Sequence, residues 1–506
     1  MHDRSNSFPV AIVIATVILL SACASTPPDE AAGASSIVEQ ARARSASKLP
    51  PTYSGLQQQQ PQSKAATSEP STDTPDPLIV WWDALRDPVL SSFVQDALAH
   101  NEDLAIAIAK VAQAKASADR LYADQKPSLD IGGSVTRARR SIEDPALRAF
   151  ANSPSFQRDS TTLRADNNLN WEIDLFGRRS SLANASALRA KAAEADQHAV
   201  RLTVVAEVAR QTILARTLQH RIRLAHKATT IETKIVEITR ARLKGGQISE
   251  IDLLRAQGIE QDIFATAEKL GSDLSEVIHA LALLLSVSPE NVKLQINERP
   301  NYSFDALEVA IPLAVVPRNV PADLLRLRPD IVRAELQLSS ASLDLSATVA
   351  ERFPKVNLGA ILALVASGVS GLGSANALLA SIAPSVTWRA LDGGRLEADI
   401  ARAKGAELEA LVRYRQSVNT AFAEADTAVS EIARRAVTAA RTRASVEVQL
   451  QVLEIVNIQH ERGLVDLLTA LEIKRGLIRS QEAHSASQQA QLLAFVTMYR
   501  VLAGGR

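Results

Sequence analysis

The feature that most constrains the fold is an internal duplication. Residues 103–127 match residues 330–354 without gaps, 227 positions farther along the chain. Beyond these segments the second copy follows the first by 217 positions, so the first copy contains a ten-residue insertion between Gly132 and Trp171. The matched pairs include Ala107 with Ala334, Pro127 with Pro354, Trp171 with Trp388, Gly177 with Gly394 and Gly246 with Gly463. A duplication of this length predicts two copies of one structural unit that pack against each other.

Each copy is predicted to be mainly helical. Residues 89–126 and 178–244 contain no Gly or Pro and are rich in strong helix formers. At 1.5 Å per residue the segment 178–244 predicts a helix about 100 Å long, followed by a return helix over 249–286. The second copy predicts the equivalent long helix over 395–461. Ala-rich stretches such as 185–199 favour a wall of closely packed helices, with a two-stranded coiled coil as the alternative.

Four short segments alternate apolar and polar residues, which predicts strands with one apolar and one polar face. These strands are expected at about 128–137, 163–175, 355–364 and 380–390. Pro384 lacks an N–H and is expected to mark a strand start or a bulge. Alternation alone is also compatible with a half-buried sheet on a soluble domain.

Four strands cannot close a barrel, and open sheet edges are not viable in hydrocarbon. In a membrane the chain must therefore oligomerise. Two chains would give eight strands with a filled interior, and three would give twelve strands with room for a pore.

The single cysteine, Cys23, lies at the end of an N-terminal targeting segment. An apolar run over residues 10–20 is too short to cross a bilayer but suits a signal peptide. The sequence Leu20-Ser21-Ala22-Cys23 resembles the bacterial lipoprotein signal, in which the cysteine is lipidated and becomes the first residue of the mature chain. Because Ala24 follows, and not Asp, this resemblance implies sorting to the outer membrane. An ordinary signal peptide with a chance cysteine is the alternative.

These patterns divide the chain into five segments. They are a lipoprotein signal peptide over 1–22, a lipidated and disordered tether over 23–78, a first repeat over 79–286, an inter-repeat equatorial segment over 287–320 and a second repeat over 321–506.

The two repeats together resemble the outer-membrane factors of tripartite efflux systems, the TolC-like family, in its lipid-anchored OprM-like and NodT-like branch. The resemblance covers roughly residues 82–505. It is carried by WEIDLFGRR at 171–179, DLLRLRPDI at 323–331, Phe353-Pro354 and DGGR at 392–395. Leu391 and Leu327 depart from the family pattern, which usually has Phe and Arg at these positions.

The resemblance implies a mainly α fold with a small transmembrane β-barrel. In this family three protomers form a twelve-stranded outer-membrane barrel that continues into a periplasmic tunnel of helices. The implied function is a passive exit duct for small molecules such as drugs. The implied partners are a periplasmic adaptor and an inner-membrane pump of the RND type, besides outer-membrane lipid. A duct for type I protein secretion shares the fold, and a non-conducting lipoprotein scaffold that spans the periplasm is a further alternative.

The turns between the long helices correspond to the periplasmic tips of the family. We expect them to contact the adaptor through Arg242, Gly246, Ser249 and Asp252 of the first copy and through Arg462, Gly463, Leu464 and Asp466 of the second. Glycine is common in such turns for structural reasons alone, so turn chemistry is the alternative.

A carboxylate precedes each tip glycine by nine residues, Glu237 in the first copy and Glu454 in the second. In a trimer these would give six acids near the narrow end. If they face the lumen, their field favours cations. The alternative is an exposed outer face.

Catalysis has no support in the sequence, which contains no HExxH, no phosphate-binding loop and no histidine cluster. The 56 basic residues equal the 56 acidic residues, so a nucleic-acid partner is not expected. No metal and no cofactor are expected apart from the covalent lipid on Cys23. Gly177, Asp392, Gly393 and Gly394 lie where strands pass into helices, and a structural role is expected for them.

Overall fold

The computed structural model describes residues 39–42, 81–145, 153, 156–297 and 328–502. The described residues are 74% helical and include a small four-stranded antiparallel sheet, which confirms the predicted fold class. Cys23, most of the predicted tether, residues 298–320 of the inter-repeat segment and residues 321–327 of the second repeat lie outside the described residues.

Eight helices account for most of the described chain. They are α1 Pro88–His100, α2 Glu102–Ala123, α3 Arg178–Lys244, α4 Glu250–Leu285, α5 Pro289–Asn297, α6 Pro329–Ala350, α7 Arg395–Glu461 and α8 Leu467–Leu502. The two long helices, α3 and α7, have 67 residues each and begin and end at the predicted residues. Their return helices α4 and α8 have 36 residues each.

The leading helix of the first copy is not continuous over 89–126, as the absence of Gly and Pro had suggested. It breaks at Asn101, whose backbone is extended with ψ of 128°. The Asn101 side chain accepts a hydrogen bond from the Leu104 N–H, 3.1 Å, and donates one to the Leu284 carbonyl, 2.9 Å. Asparagine is a favoured N-cap because its side chain replaces a missing helical hydrogen bond. The helix therefore restarts at Glu102.

The strands are β1 Ser128–Arg139, β2 Asp159–Ile173, β3 Lys355–Ala366 and β4 Leu378–Thr387, in the order β1-β2-β3-β4. β2 was predicted over 163–175; it begins four residues before the predicted start and ends two residues before the predicted end. Pairing with β1 continues outward to Arg139↔Asp159, where the two side chains form an ion pair of 3.9 Å. The strand stops at Ile173 because Asp174 turns to cap the following helix.

The other strand bounds differ by two or three residues. β1 and β3 each extend two residues beyond their predicted ends, and β4 occupies 378–387 where 380–390 was expected. The ladder ends at Lys355↔Thr387, and the next residue, Trp388, donates its indole N–H to the Arg352 carbonyl at 3.0 Å.

Pro384 neither begins β4 nor causes a bulge, so that expectation was wrong. It pairs with Leu358 in an unbroken register. β4 is a terminal strand of this sheet and, within the described residues, pairs only with β3. The missing N–H of Pro384 therefore leaves the register with β3 intact.

The described chain divides into two compact units. The first comprises the described parts of Met1–Ala43, Ala112–Lys191 and Glu335–Arg413, and so contains the sheet. The second comprises the described parts of Arg44–Val111, Ala192–Ala334 and Tyr414–Arg506, and so contains both turns between long helices.

One part of the core of the second unit is aromatic. Phe93 and Phe495 are fully buried there, and Trp81 stacks on Tyr499 with ring centroids 5.3 Å apart. Beside them Arg216 and Asp87 form a buried ion pair of 3.0 Å, with side chains 4% and 3% exposed. Arg216 also donates to the Ile296 carbonyl at 2.8 Å. The charges are thus paired and hydrogen-bonded, as burial requires.

Residues 39–42 belong to the first unit and are helical. Ala41 is buried, and Arg42 forms a bidentate ion pair with Glu335 of α6. For these four residues the prediction of a disordered tether was wrong. A small apolar side chain and an ionic contact together hold this turn against α6.

Within the described residues, no single helix has the length and apolar character needed to cross a bilayer; the bent pair α4 and α5 meets that test only when its two helices are taken together.

Candidate functional site

The two turns between long helices share one backbone conformation. Gly246 and Gly463 have φ of +71° and +73°, in the left-handed region that favours glycine. After each glycine the next N–H reaches back five residues, from Gln247 to the Arg242 carbonyl and from Leu464 to the Gln459 carbonyl. This Schellman arrangement satisfies the last carbonyls of α3 and α7.

The return helices begin with reversed capping pairs. In the first copy the N–H and hydroxyl of Ser249 both donate to Asp252 Oδ2, at 3.1 and 2.9 Å. In the second copy the N–H and hydroxyl of Thr469 both donate to Asp466 Oδ1, at 2.9 and 2.6 Å. In the first copy the carboxylate is on the third helical residue and the hydroxyl is on the N-cap. In the second copy the carboxylate is on the N-cap and the hydroxyl is on the third helical residue. Each start of a helix thereby retains a carboxylate–hydroxyl pair that satisfies a backbone N–H.

One ion pair joins the two tips. Arg242, at the end of α3, binds Asp466 Oδ2 at the start of α8. The Thr469 hydroxyl, the Arg242 guanidinium and the Thr469 N–H hold the pKa of the Asp466 carboxyl well below its usual range. The Ser249 hydroxyl and N–H lower the pKa of Asp252 in the same way. Both carboxylates are therefore ionised at neutral pH.

The structure brings together some of the predicted tip residues and not others. Arg242 meets Asp466, and Ser249 meets Asp252. Arg462 and Leu464 are exposed at the turn itself, with Leu464 72% exposed. The sequence analysis named the residues of the Arg242–Asp466 pair but not their pairing, and it did not name Thr469. Matching Thr469 with Asp252 across the duplication was the signal that could have found it.

The two predicted lumen acids lie on the exposed faces of their helices. Glu237 on α3 and Glu454 on α7 are both exposed, and within the described chain neither has an ion-pair or hydrogen-bond partner. Both remain available to a water-filled space or to a partner.

Glycines lie where strands pass into helices, as expected, but the two copies cap the following helix with aspartates at different positions. Gly177, Gly393 and Gly394 have φ of +74°, +68° and +84°. Asp392 accepts hydrogen bonds from the N–H groups of Gly394 and Leu396, at 3.0 and 2.9 Å.

In the first copy the capping residue is Asp174, which accepts from Arg179 and Ser180 at 3.1 and 2.8 Å. Asp174 is the repeat equivalent of Leu391, not of Asp392. Leu391 is 93% exposed, so its departure from the family pattern leaves no packed contact within the chain.

The polar face of the sheet holds further residues that the sequence analysis did not name as a site. Arg164, Asp166 and Asn168 alternate along β2 and bind one another: the Arg164 Nε donates to Asp166 Oδ1 at 3.1 Å, and Asn168 donates to Oδ2. Asp166 lies between Gly132 on β1, which has no side chain, and Ala363 on β3, whose side chain is a methyl group, so it has room on both sides. These groups form a polar strip on the face opposite the apolar one.

The model of the outer membrane efflux protein family matches residues 93–266 and 320–504. The chain belongs to this family. The match covers both copies of the duplication, and the resemblance stated from the sequence motifs is confirmed.

Curated relatives and solved structures agree with this membership. Pyoverdine export outer membrane protein OpmQ of Pseudomonas aeruginosa is 29% identical over 84% of this chain and 87% of its own length. Nodulation protein T of Rhizobium leguminosarum bv. trifolii is 25% identical over 83% and 87%. The outer-membrane channel OprN has the same fold, with a TM-score of 0.73 and 24% identity over 90% of this chain and 97% of that one.

This efflux protein is therefore an outer-membrane exit duct, as expected. The described residues contain no cluster of His, Cys, Asp and Glu side chains that could hold a metal ion.

Proposed function

We propose that three copies of this chain form a lipid-anchored exit duct that passively conducts small molecules out of the cell. The observation that carries the proposal is the sheet: its apolar face runs across all four strands, and within the described residues β1 and β4 each pair on one side only. In a membrane these edges must be closed by further strands. Three copies supply twelve strands, enough for an open pore.

The lining supports conduction of polar or charged solutes. Behind the apolar face, β1 and β2 present Asp130, Arg164, Asp166 and Asn168, which suit a wet interior. The relatives include proteins named for export of pyoverdine, for efflux of toluene and for efflux of cations. The proposed substrates are accordingly small molecules, with selectivity set mainly by the pump.

The energy comes from partners. We infer that the tips formed around Gly246 and Gly463 bind a periplasmic adaptor, which connects the duct to an inner-membrane pump of the RND type. The exposed Arg462 and Leu464 support this role because they contribute to the turn through their backbone and not through their side chains. The lipid on Cys23 anchors the mature chain to the outer membrane.

Conductance of the purified full-length protein tests the duct. We expect discrete ion currents in planar bilayers and a trimeric mass in detergent. A trimer without current would identify the scaffold alternative. Loss of secretion of a polypeptide, with unchanged drug resistance in a deletion strain, would identify the protein-secretion alternative.

Adaptor contact is tested at residues that do not hold the turn together. Asp466 is unsuitable because it caps α8 and binds Arg242. We therefore choose the charge reversal Arg462→Glu and the substitution Leu464→Asp. Each is expected to abolish pump-dependent resistance and adaptor cross-linking while the trimer and its conductance persist.

Lys227→Glu, an exposed reversal on α3 fifteen residues before Arg242, serves as the control and should retain resistance. Unchanged adaptor cross-linking in both tip variants would contradict the proposed contact.

The acidic ring is tested with the double substitution Glu237→Gln and Glu454→Gln. If these carboxylates line the lumen of the trimer, the preference for cations over anions falls, because six negative charges leave the narrow end. The matched control is Glu268→Gln on the exposed surface of α4. A reversal potential under a salt gradient gives the measurement, and an unchanged preference in the double variant would place both acids on the outer face.

A further inference from the structure

The apolar face of the first hairpin ends in two arginines. The register of β1 with β2 places Arg137 opposite Thr161 and Arg139 opposite Asp159. Alternate residues of a strand lie on one face, so both arginines continue the row that includes the exposed Val135. They lie at the end of the sheet farthest from α3, because β2 leads into α3 from its other end. We call Arg137 and Arg139 the basic rim.

A tryptophan marks the opposite edge of the same face. Trp171 on β2 lies ten residues from Thr161, the residue opposite Arg137. Ten residues of strand measure about 34 Å, or about 26 Å across the membrane at a strand tilt of about 40°. The outward apolar band of an outer-membrane barrel is about 25 Å tall and has aromatic side chains at its interfaces. With Trp171 at the inner interface, the basic rim therefore lies at the outer one.

Among the described residues, little occupies the hydrogen-bond donors of the basic rim. Arg139 Nε lies 3.9 Å from Asp159 Oδ1, at the limit of an ion pair, and the two side chains are 66% and 58% exposed. Arg137 is exposed and forms no hydrogen bond or ion pair with another residue that the structure describes. Glu143 and Asp144 lie beyond the strand, at the turn that follows it. Two arginines and one aspartate thus give this end of the apolar face a net positive charge.

The second copy has no such rim. Residues 356–388, which contain β4 and nearly all of β3, include no charged side chain. The last pair in the ladder of these two strands is Leu364 with Leu378. The basic rim is therefore a feature of the first hairpin alone.

We propose that the basic rim binds the phosphate group of an anionic lipid in the outer leaflet of the outer membrane. A guanidinium donates two parallel N–H bonds to a phosphate, which an ammonium cannot do. The Cα atoms of Arg137 and Arg139 are two strand residues, about 7 Å, apart on one face, so both side chains can reach one phosphate. The acyl chains of that lipid lie along Val135 and Ile131, which are 72% and 81% exposed. A cationic site continuous with an apolar surface fits a lipid better than a free anion.

The polar face supplies a matched control at the same height. The N–H of Arg140 donates to the Arg158 carbonyl at 2.7 Å, so the ladder continues for one more pair. Because the faces alternate, the side chains of Arg140 and Arg158 belong to the polar face. This pair has the same type and number of side chains as the basic rim but does not face the lipid.

Native mass spectrometry of the full-length protein in detergent tests the site. The probe is lipid A with two phosphates, titrated into the unmodified protein and counted as bound molecules per chain. We expect saturable binding of one molecule per chain. Arg137→Gln combined with Arg139→Gln should weaken this binding at least about tenfold, whereas Arg140→Gln combined with Arg158→Gln should change it less than about twofold.

The single variant Arg137→Gln removes one charge without freeing Asp159. It leaves the contact between Arg139 and Asp159 in place and should weaken lipid binding about fivefold, with Arg140→Gln as its control. Equal losses in the rim and control variants would show that only overall charge matters and would overturn the site. Unchanged affinity in both rim variants would overturn it too.

Two further arms use the unmodified protein, so they test the site even if a substitution prevents folding. Lipid A without phosphates should bind at least about tenfold more weakly, and equal binding would assign the surface to acyl chains alone. Inorganic phosphate in large excess should not displace the lipid. Full displacement would identify a site for free anions and would contradict the lipid site.

The proposal goes beyond conduction and rests on the insertion of the sheet in the outer membrane, where the protein is located. The same spectra separate it from the proposed trimer. A monomeric mass that still binds one phosphorylated lipid per chain would overturn the trimer and support the site. A conducting trimer that binds no phosphorylated lipid would overturn the site and keep the duct.

Discussion

The two copies of the duplication share one backbone conformation and differ in many of their side chains. Trp171 and Trp388 each donate the indole N–H to a carbonyl just before the first strand of its copy, Gln125 at 2.9 Å and Arg352 at 3.0 Å. The tips have matching Schellman turns.

The hairpins show this difference most plainly. On the polar face, β1 and β2 carry Asp130, Arg164, Asp166 and Glu172, whereas Lys355 is the single charged residue on the same face of β3 and β4. In the proposed trimer the wet lining would alternate between charged and nearly uncharged strips. In that trimer the first copy would supply most of the charge of the lining.

The largest expected difference between the copies concerns the buried ion pair of the first. Asp87 and Arg216 have no ionic counterpart in the described part of the second copy, where the equivalent of Arg216 is Ala433. Asp87→Asn keeps the helix cap but removes the Asp87 charge from beside the buried Arg216, which we expect to cost about 3 to 5 kcal/mol. The midpoint of thermal unfolding, followed by circular dichroism in detergent, measures the loss.

The comparison is with Glu424→Gln in the second copy. Glu424 binds Arg328 at 2.7 Å, but its side chain is 45% exposed and Arg328 retains Asp330. Solvent screening reduces the expected cost to about 0.5 kcal/mol. Similar midpoints for the two variants would show that Asp87 and Arg216 are not the ionic centre of the first copy.

The tip glycines should respond equally, because the copies share this turn. Gly246→Ala and Gly463→Ala each force a side chain into the left-handed region, which costs about 1 to 2 kcal/mol. Denaturant midpoints of the two single variants compare them directly. A clear difference between them would break the equivalence of the two tips.

Gly258→Ala is the control for this pair. Gly258 lies within α4, has open space around a new Cβ and is exposed. Alanine there should stabilise the helix by about 0.5 to 1 kcal/mol. A loss of stability in this variant would mean that alanine is harmful for reasons other than backbone conformation.

How far the sequence predicted these features follows from what each depends on. The long helices, the four strands and the tip glycines depend on local composition, on alternation and on the duplication, so they could be located to within a few residues. The ionic contacts could not, since the pairing of Arg216 with Asp87 spans 129 residues and that of Arg242 with Asp466 spans 224. The break at Asn101 was missed because neither Gly nor Pro marks it. The only sign of it in the sequence is the asparagine side chain, which favours an N-cap position.

The indole hydrogen bonds sharpen the comparison at a smaller scale. Trp171 is half-buried, whereas Trp388 is 57% exposed. Replacement by Phe keeps an aromatic ring and removes the donor. We expect Trp171→Phe to cost about 1 kcal/mol and Trp388→Phe less, because water can reach the carbonyl that Trp388 leaves. If urea denaturation showed equal losses of unfolding free energy for the two variants, both carbonyls would be inaccessible to water in the assembled protein.

The smallest expected effect is the pH dependence of the two reversed caps. A carboxylate whose pKa is lowered by folding adds stability above its unfolded pKa of about 3.9, and that stability is lost as the pH falls through the folded value. Asp252 has one hydroxyl partner, whereas Asp466 has a hydroxyl and Arg242, and the pKa of Asp466 is lowered further.

The stability deficit of Asp252→Asn relative to the unmodified protein should therefore shrink first as the pH is lowered below 4, and that of Asp466→Asn should persist to more acidic solution. Unfolding midpoints of both variants from pH 7 to pH 3 test the order. If the Asp466→Asn deficit instead grew as the pH fell from 7 to 4, the pKa of the Asp466 carboxyl would be raised by folding, and the ion pair between the two tips would not exist in solution.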